Sequence, residues 1–354
     1  PLVFNFQDSI SLFYSPLQLQ SSCPIGLLPI LTSKKSNNKE PTKKTCQSQT
    51  LTITKKHANN ELNTSLTQAL TQKLKSSTHQ IKLQMSKCFS FTRAKNRCYR
   101  STFTKSGLKP TTTDLQDGTV MNCWVPNTRT HSKPDLLLIH GLGANGMWQW
   151  GDTVRYFTAH FNVYVPDLVF FGDSYTTRPE RTESFQAQCL MRVMEANSVG
   201  RLSLVGLSYG GFVGYSMAAQ FKDVVEKVVI CCAGVCMEEK DLKDGVFTVS
   251  DVEVAASILV PQKPDKMREL LGYTFFKPPP PHLIPSCLLA DFIDIMCTEY
   301  VEEKRDLIRA IPKDRKISDI PKITQPTSII WGQYDQVFPL ELGHRLKRQC
   351  APSM

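Results

Sequence analysis

Short apolar runs and longer amphipathic stretches alternate along most of the chain after residue 110. A continuous apolar run such as Asp135–Ile139 is typical of a strand buried on both faces of a parallel sheet, whereas Thr119–Val125 alternates like a strand with one solvated face. The segments expected to form strands are Thr119–Val125, Asp135–Ile139, Phe161–Val165, Leu202–Val205, Val225–Cys231 and Thr327–Trp331. Their alternation with helical stretches predicts an α/β fold with a doubly wound, mostly parallel sheet.

Four stretches between and after these strands have helical spacing. Ser184 is expected to cap a helix that Gly200 ends, because apolar residues recur every four positions between them. The other helices are expected at Met147–Phe157, from Ser208 to Phe221, and at Leu340–Arg348.

The pattern changes from about Cys236 to Ile320, where charged helical stretches and apolar patches replace the strands. The run Pro278–Pro281 interrupts any helix that reaches it, because proline lacks the backbone N–H and clashes with the preceding turn. This segment is therefore expected to be a helical cap inserted into the sheet domain. The predicted division is a first part of the core at 110–235, the cap at 236–320 and a second part of the core at 321–354.

Residues 1–84 are rich in Ser, Thr, Gln, Asn and Lys and show no sustained apolar period, which favours a disordered or extraneous leader. Order is expected to begin near Thr111. Because residue 1 is proline rather than methionine, the sequence is expected to be either a fragment or a translation that runs upstream of the true start, for which Met85 is the natural candidate. The alternative is a chloroplast transit peptide, since the leader is acid-poor and hydroxylated, although it has no arginine. We therefore expect a cytoplasmic protein, with the chloroplast as the alternative location.

The net charge of +10 is concentrated in the leader, which has ten lysines against three acidic residues, whereas the other 270 residues carry only +3. Binding of nucleic acid by the folded part is therefore not expected. Twelve scattered cysteines form no C-x-x-C pair, which favours reduced thiols in an intracellular compartment. No apolar run reaches the roughly 18 to 20 residues of a membrane span, and composition does not indicate the oligomeric state.

The strand at Leu202–Val205 runs directly into Gly206-Leu207-Ser208-Tyr209-Gly210-Gly211 and then into a helix. This order is typical of a nucleophile elbow, in which a serine stands at a strained turn and bulky neighbours would clash. The turn raises the serine hydroxyl above the sheet, and the first N–H groups of the helix point toward any oxyanion that forms there. Ser208 is therefore the candidate nucleophile, although so short a motif also occurs as a plain glycine-rich turn.

Three further motifs occur in order with the elbow. They are His140-Gly141-Leu142-Gly143 after one strand, Pro166-Asp167 with Gly172-Asp173-Ser174 after the next, and Trp331-Gly332 with Asp335 after a late strand. With these four motifs in register, residues 110–350 resemble the α/β-hydrolase superfamily, and within it the branch of capped esterases, monoacylglycerol lipases and carbon–carbon-bond hydrolases. The chain is most similar to a group of uncharacterised plant proteins in that branch.

The resemblance implies a role for four residues. Ser208 matches the nucleophile, and Asp335 matches the acid that orients the catalytic histidine. The backbone N–H groups of Leu142 and Tyr209 match the oxyanion hole. The implied reaction is hydrolysis of an ester through an acyl-serine intermediate, with no metal or organic cofactor.

The catalytic histidine has no clear counterpart. Family members carry it in a loop after one more strand, and His344 is the only histidine after Asp335, but it lies within the predicted helix Leu340–Arg348. We expect His344 to be an exposed helix residue and the chain as written to lack the final strand, the histidine loop and the last helix. Such a chain would be nearly inactive, because a serine without a general base is a poor nucleophile, and aggregation-prone at its exposed sheet edge.

Apolar residues in the predicted cap favour a hydrophobic or lipid ester as the substrate, although the same residues would also pack the cap onto the sheet. They are Phe275, Phe276, Leu288, Leu289, Phe292 and Ile295.

Two alternatives remain for the function. One is a non-catalytic protein that uses the fold to bind a ligand, which a missing histidine favours and the retained Ser208 and Asp335 oppose. The other is a carbon–carbon-bond hydrolase with the same serine and a different cap.

Overall fold

The computed structural model describes residues 90–350, in which eight strands form one sheet. The strands are β1 (Leu108–Asp114), β2 (Thr119–Pro126), β3 (Asp135–Ile139), β4 (Asn162–Pro166), β5 (Tyr175–Thr176), β6 (Leu202–Leu207), β7 (Val225–Cys231) and β8 (Thr327–Ile330). Their spatial order is β1-β2-β4-β3-β6-β7-β8, and β5 pairs with β2. The five strands from β4 to β8 in this order pair in parallel, whereas β1, β2 and β5 are antiparallel to their partners. The predicted α/β fold with a mostly parallel sheet is therefore confirmed.

Ten α-helices accompany the sheet within residues 90–350. They are α1 (Phe91–Lys105), α2 (Gly146–Trp150), α3 (Val154–Thr158), α4 (Glu183–Ala196), α5 (Tyr209–Gln220), α6 (Val252–Leu259), α7 (Pro264–Thr274), α8 (Ser286–Met296), α9 (Val301–Ala310) and α10 (Leu340–Gln349). Three short 3-10 helices lie at Glu239–Leu242, Pro281–Leu283 and Ile317–Asp319.

Helices cover both faces of the sheet, because successive side chains of each central strand point to opposite sides. In β3, Leu137 and Ile139 belong to one hydrophobic core with residues of α4, α5 and α10. Leu136 and Leu138 belong to a second core on the opposite face, with residues of α1, α2 and α3. Burial on both faces explains why β3 is apolar at almost every position.

Helix α1 and the start of β1 precede Thr111, so the predicted start of order at that residue is wrong. α1 docks on the sheet through Tyr99 and Phe103, and the Phe103 ring packs edge-on against Trp124 of β2 with centroids 5.0 Å apart. Five basic residues and no acidic residue occupy this helix, so its narrow buried face gives little apolar periodicity. The predicted leader, residues 1–84, lies outside the described residues.

Two helix predictions need correction. The stretch Met147–Phe157 forms two short helices, α2 and α3, separated at Gly151, where an added Cβ would lie 2.3 Å from the Tyr99 ring. The N-cap of α4 is Thr182 rather than Ser184, because the Thr182 hydroxyl accepts the N–H of Phe185 at 3.2 Å.

The segment between β7 and β8 contains helices α6 to α9 and no strand. One apolar cluster joins α7 and α8 through Leu271 and Leu289. Another joins α6 and α9 through Ala256 and Ile308, and it packs against Leu142 in the loop after β3. These helices therefore contact the carboxyl edge of the sheet. The assignment of 236–320 as an inserted cap, between core segments 110–235 and 321–354, stays a prediction.

Candidate active site

Ser208 occupies a strained turn between the end of β6 and the start of α5. Its backbone has φ 52° and ψ −121°, a conformation with positive φ that side chains other than glycine rarely adopt. Ser208 is the N-cap residue of α5, yet its hydroxyl makes no capping hydrogen bond to that helix. The side chain is half-buried. The turn therefore holds a hydroxyl group at the carboxyl edge of the sheet that the helix itself does not use.

The glycines around Ser208 are required by close backbone contacts. A Cβ added at Gly206 would lie 2.3 Å from the carbonyl oxygen of Gly210. A Cβ added at Gly210 would lie 2.4 Å from the carbonyl oxygen of His140 and 2.5 Å from that of Ile139. Real Cβ atoms do not approach backbone so closely, so a side chain at either position would force β3, β6 and α5 apart.

The loop after β3 passes directly beside the serine. A Cβ added at Gly141 would lie 3.0 Å from the Cβ atom of Ser208. Leu142 follows in a turn and is half-buried, and Tyr209 is buried at the first position of α5. The N–H of a residue at that position has no partner within its own helix, which makes it available to an anion. The assignment of the Leu142 and Tyr209 N–H groups to an oxyanion hole stays a prediction.

Asp335 lies in the loop after β8, two strands from the elbow. The Oδ1 atom of Asp335 accepts the backbone N–H groups of Val337 and Phe338, each at 2.9 Å. The indole N–H of Trp331 donates to the carbonyl oxygen of Phe338 at 2.9 Å, which ties the two ends of the loop together. Burial raises the pKa of the Asp335 carboxyl, while these two N–H groups and the nearby Cys232 thiol oppose that shift. The hydrogen bonds from Val337 and Phe338 leave the second carboxylate oxygen, Oδ2, for another donor.

Backbone hydrogen bonds connect the serine turn to the aspartate loop. The N–H of Ser208 donates to the carbonyl oxygen of Cys231 at 2.8 Å, and the N–H of Cys232 donates to that of Ile330 at 2.9 Å. The strands β6, β7 and β8 therefore end side by side, and Ser208 and Asp335 follow the first and the third of them. Sites in α/β sheets form at this carboxyl edge.

No histidine in the described part of the chain forms a hydrogen bond with the Ser208 hydroxyl. His131, His160, His282 and His344 are exposed, and His344 lies on α10 as predicted. His140 is fully buried, with Nδ1 2.7 Å from the carbonyl oxygen of Gly141 and Nε2 accepting the N–H of Leu168 at 2.9 Å. Burial lowers the pKa of His140 to about 4, so the ring is neutral and both nitrogens are engaged. His140 therefore supports the loop after β3 and cannot accept the serine proton.

Asp167 and Lys304 are buried charged residues to which the sequence assigned no role. The Asp167 carboxylate accepts the side-chain amide of Asn122 and the backbone N–H of Gly146, each at 2.9 Å, and burial raises its pKa to about 6. Gly146 begins α2, so Asp167 fixes the chain that leads away from the loop after β3. The sequence signal for Asp167 was its position directly after Pro166 at the end of a buried strand. Lys304 sits in an ordinary charged helix sequence, which gave no signal.

The described residues contain no cluster of metal-ligating side chains and no disulfide. Across residues 90–350, no three His, Cys, Asp or Glu side chains are grouped so that they could hold a metal ion. The nine cysteines that the structure describes are all free thiols. In the same part of the chain, no helix is both long enough and apolar enough to cross a bilayer.

Comparisons with known proteins agree with this fold. Residues 134–274 match the family model for the alpha/beta hydrolase fold. The bovine monoacylglycerol lipase ABHD6 is 24% identical over 65% of this chain and 70% of its own length. The 2-hydroxy-6-oxo-2,4-heptadienoate hydrolase of Pseudomonas putida F1 is 28% identical over 62% of this chain and 78% of its own length.

Solved structures give the same fold. The crystal structure of a candidate lipase from Acinetobacter baumannii AYE superposes with a TM-score of 0.58 at 24% identity, and covers 73% of this chain and 86% of that one. The resemblance to plant proteins stays a prediction. The sheet order, the serine elbow and these matches together show that the chain has the α/β-hydrolase fold and is similar to lipases and carbon–carbon-bond hydrolases with that fold.

Proposed function

We propose that this protein is a serine hydrolase that cleaves esters of hydrophobic or lipid acyl groups through an acyl-enzyme on Ser208. The observation that carries the proposal is the strained backbone of Ser208 at the carboxyl edge of the sheet, with its hydroxyl not used to cap α5. The close approach of Gly141 to the serine supports it, because this loop and the start of α5 flank the same point. The similarity to a monoacylglycerol lipase is consistent with an ester substrate.

In the proposed reaction, the Ser208 hydroxyl oxygen attacks the ester carbonyl carbon and its proton passes to a base. The negative charge that develops on the carbonyl oxygen is held by the N–H groups of Leu142 and Tyr209, and the N-terminus of α5 adds a favourable dipole. The alcohol leaves, and a water molecule then hydrolyses the acyl-serine. Asp335 orients an imidazole through Oδ2 and stabilises its protonated form.

The base is the limiting component, because four of the histidines in residues 90–350 are exposed and the buried His140 is bonded elsewhere, to the backbone of Gly141 and Leu168. Loss of the base in a serine triad lowers turnover by several orders of magnitude, but the oxyanion site and substrate binding persist. We therefore expect slow, Ser208-dependent hydrolysis by the chain as it stands. An imidazole supplied from solution should accelerate it, because it can accept the serine proton in place of a side-chain base.

The test is hydrolysis of 4-nitrophenyl butyrate with increasing imidazole concentrations. The wild-type rate should rise above the sum of the protein-only and imidazole-only rates, and Ser208→Ala should remove that excess. Ser216→Ala is the matched control, since it removes a half-buried hydroxyl from α5 away from the elbow. An excess rate that survives in Ser208→Ala would refute the assignment of the nucleophile.

A non-catalytic ligand-binding protein is the second candidate, and the position of the described histidines favours it. In that case the elbow would be retained for its shape, and imidazole would give no Ser208-dependent rate. The same assay therefore separates the two candidates.

A further inference from the structure

Lys304 of helix α9 is a buried cation. Only 6% of its surface is exposed, although lysine is among the residues that are least often buried. The ammonium nitrogen Nζ lies 5.2 Å from the centre of the Phe171 ring and 3.4 Å from the carbonyl oxygen of Met296. The Phe171 ring in turn packs edge-on against His140, with centroids 5.1 Å apart.

These contacts compensate the buried charge poorly. Lys304 forms no ion pair within 4.0 Å among the described residues, whereas the largely buried Arg315 and Arg345 are paired with Glu183 and Asp241. The distance of 3.4 Å between Lys304 Nζ and the Met296 carbonyl oxygen is long for a hydrogen bond. This one contact can use only one of the three N–H groups of the ammonium. Burial lowers the pKa of Lys304, and the Cys297 thiol and the carboxylates of Glu299 and Glu303 oppose that shift without reversing it.

Lys304 is one of the residues that line a small cavity between α6, α8, α9 and the loop after β3. The residues around this cavity are Leu142, Gly143, Phe171, Leu259, Val260, Met296, Cys297 and Lys304. It has room for about one water molecule in this state. Leu142 belongs to the loop that runs beside Ser208, so a charge on Lys304 faces a cavity that adjoins the proposed oxyanion site. Leu259 and Met296 are unbranched at Cβ and can turn aside to enlarge it.

We propose that Lys304 recognises a carboxylate group on the substrate, so that the preferred ligands are acyl compounds that bear a free acid. One ammonium in apolar walls matches a monoanion, whereas a phosphate dianion would need further donors that this cavity lacks. The choice of substrate class rests on the proposed function, but carboxylate binding itself does not require turnover.

A structural role is the competing explanation, because Met296 is the last residue of α8 and a cation there interacts favourably with the helix dipole. That role accounts for one long contact, and it predicts no preference for charged ligands. The two explanations therefore differ in what the cavity binds.

The experiment compares binding of hexanoate and of hexanamide, its neutral isostere, to the full chain by isothermal titration calorimetry. Wild-type protein should bind hexanoate roughly tenfold or more tightly than hexanamide, as expected for a hydrogen bond to a charged group. Lys304→Met should lose this preference, and Lys304→Arg should keep part of it. Lys313→Met, which removes an exposed lysine after α9, should behave like the wild type.

Two results would overturn the proposal. One is equal or undetectable binding of hexanoate and hexanamide by wild-type protein, which needs no variant to interpret. The other is a Lys304→Met protein that keeps the preference or that unfolds, since unfolding would show that the cation is structural. Ser208→Ala should retain the preference for hexanoate, so failure of the proposed catalysis and failure of carboxylate recognition are distinguishable.

Discussion

Substitution of Gly210 by alanine should disrupt the serine elbow without touching the serine. The added Cβ would lie 2.4 Å and 2.5 Å from the carbonyl oxygens of His140 and Ile139, where contacts below 3.0 Å are essentially never seen. Both contacts are backbone, so α5 must move by about half an ångström or more away from β3. We expect a loss of about 1 to 3 kcal/mol in the free energy of unfolding.

The same displacement should reduce acylation of Ser208. Tyr209 begins α5 and Leu142 follows β3, so the movement separates the two N–H groups proposed to hold the oxyanion. Loss of one such donor lowers the rate about 10² to 10³-fold. The assays are urea unfolding and the initial release of 4-nitrophenolate from 4-nitrophenyl butyrate in imidazole.

Gly200→Ala is the matched control for Gly210→Ala. No atom lies within 4 Å of the Cβ that this change would add, and Gly200 does not have a positive φ. Its stability should stay within about 0.5 kcal/mol of wild type, with unchanged acylation. If Gly210→Ala proves as stable and as reactive as Gly200→Ala, the close packing described for the elbow is wrong.

Three further predictions concern the fold. Asp167→Asn should remove a pH dependence of the free energy of unfolding. In the folded protein the Asp167 carboxyl keeps its proton up to pH about 6, whereas in the unfolded chain it releases the proton near pH 4. The wild-type free energy of unfolding should therefore fall by up to roughly 3 kcal/mol between pH 4 and pH 7. Urea unfolding should therefore show that the free energy of unfolding of the variant rises relative to that of wild type as the pH rises. A difference in this free energy that does not change with pH would contradict the raised pKa. Gly272→Ala should stabilise the protein by about 0.5 to 1 kcal/mol in thermal unfolding, because alanine loses less backbone entropy than glycine in a helix and the new methyl group meets no atom within 4 Å. A destabilised variant would refute this expectation. Phe103→Ala should cost about 3 to 5 kcal/mol in urea unfolding, and a loss below about 1 kcal/mol would show that α1 is not docked on Trp124.

The central strands could be predicted because burial on both faces leaves a continuous apolar signal. β3 and β7 begin and end at the predicted residues. Helix α1 could not be predicted in this way, since Tyr99 and Phe103 carry most of its buried face amid five basic residues. Its docking depends on Trp124, which is distant in sequence, and a local pattern does not report such a contact.

The serine turn was predictable because its chemistry is local. Gly206 and Gly210 are required by backbone contacts within a few residues of Ser208 and at the end of the adjacent strand. The relation of Ser208 to Asp335 needed the order β6-β7-β8, which the sequence implies only through the fold class. Lys304 could not be predicted, because its burial arises from the packing of α8 and α9 over the loop after β3.

The central claim is that Ser208 is an acyl-accepting nucleophile. The wild-type chain and its Ser208→Ala variant should be mixed with 4-nitrophenyl butyrate, digested, and analysed by mass spectrometry for butyrylated peptides. Deacylation also needs a base, so a butyryl group should accumulate on the wild-type peptide that contains Ser208 and be missing from the variant. Absence of a butyryl group on that wild-type peptide, or equal labelling of both proteins at another residue, would contradict the account.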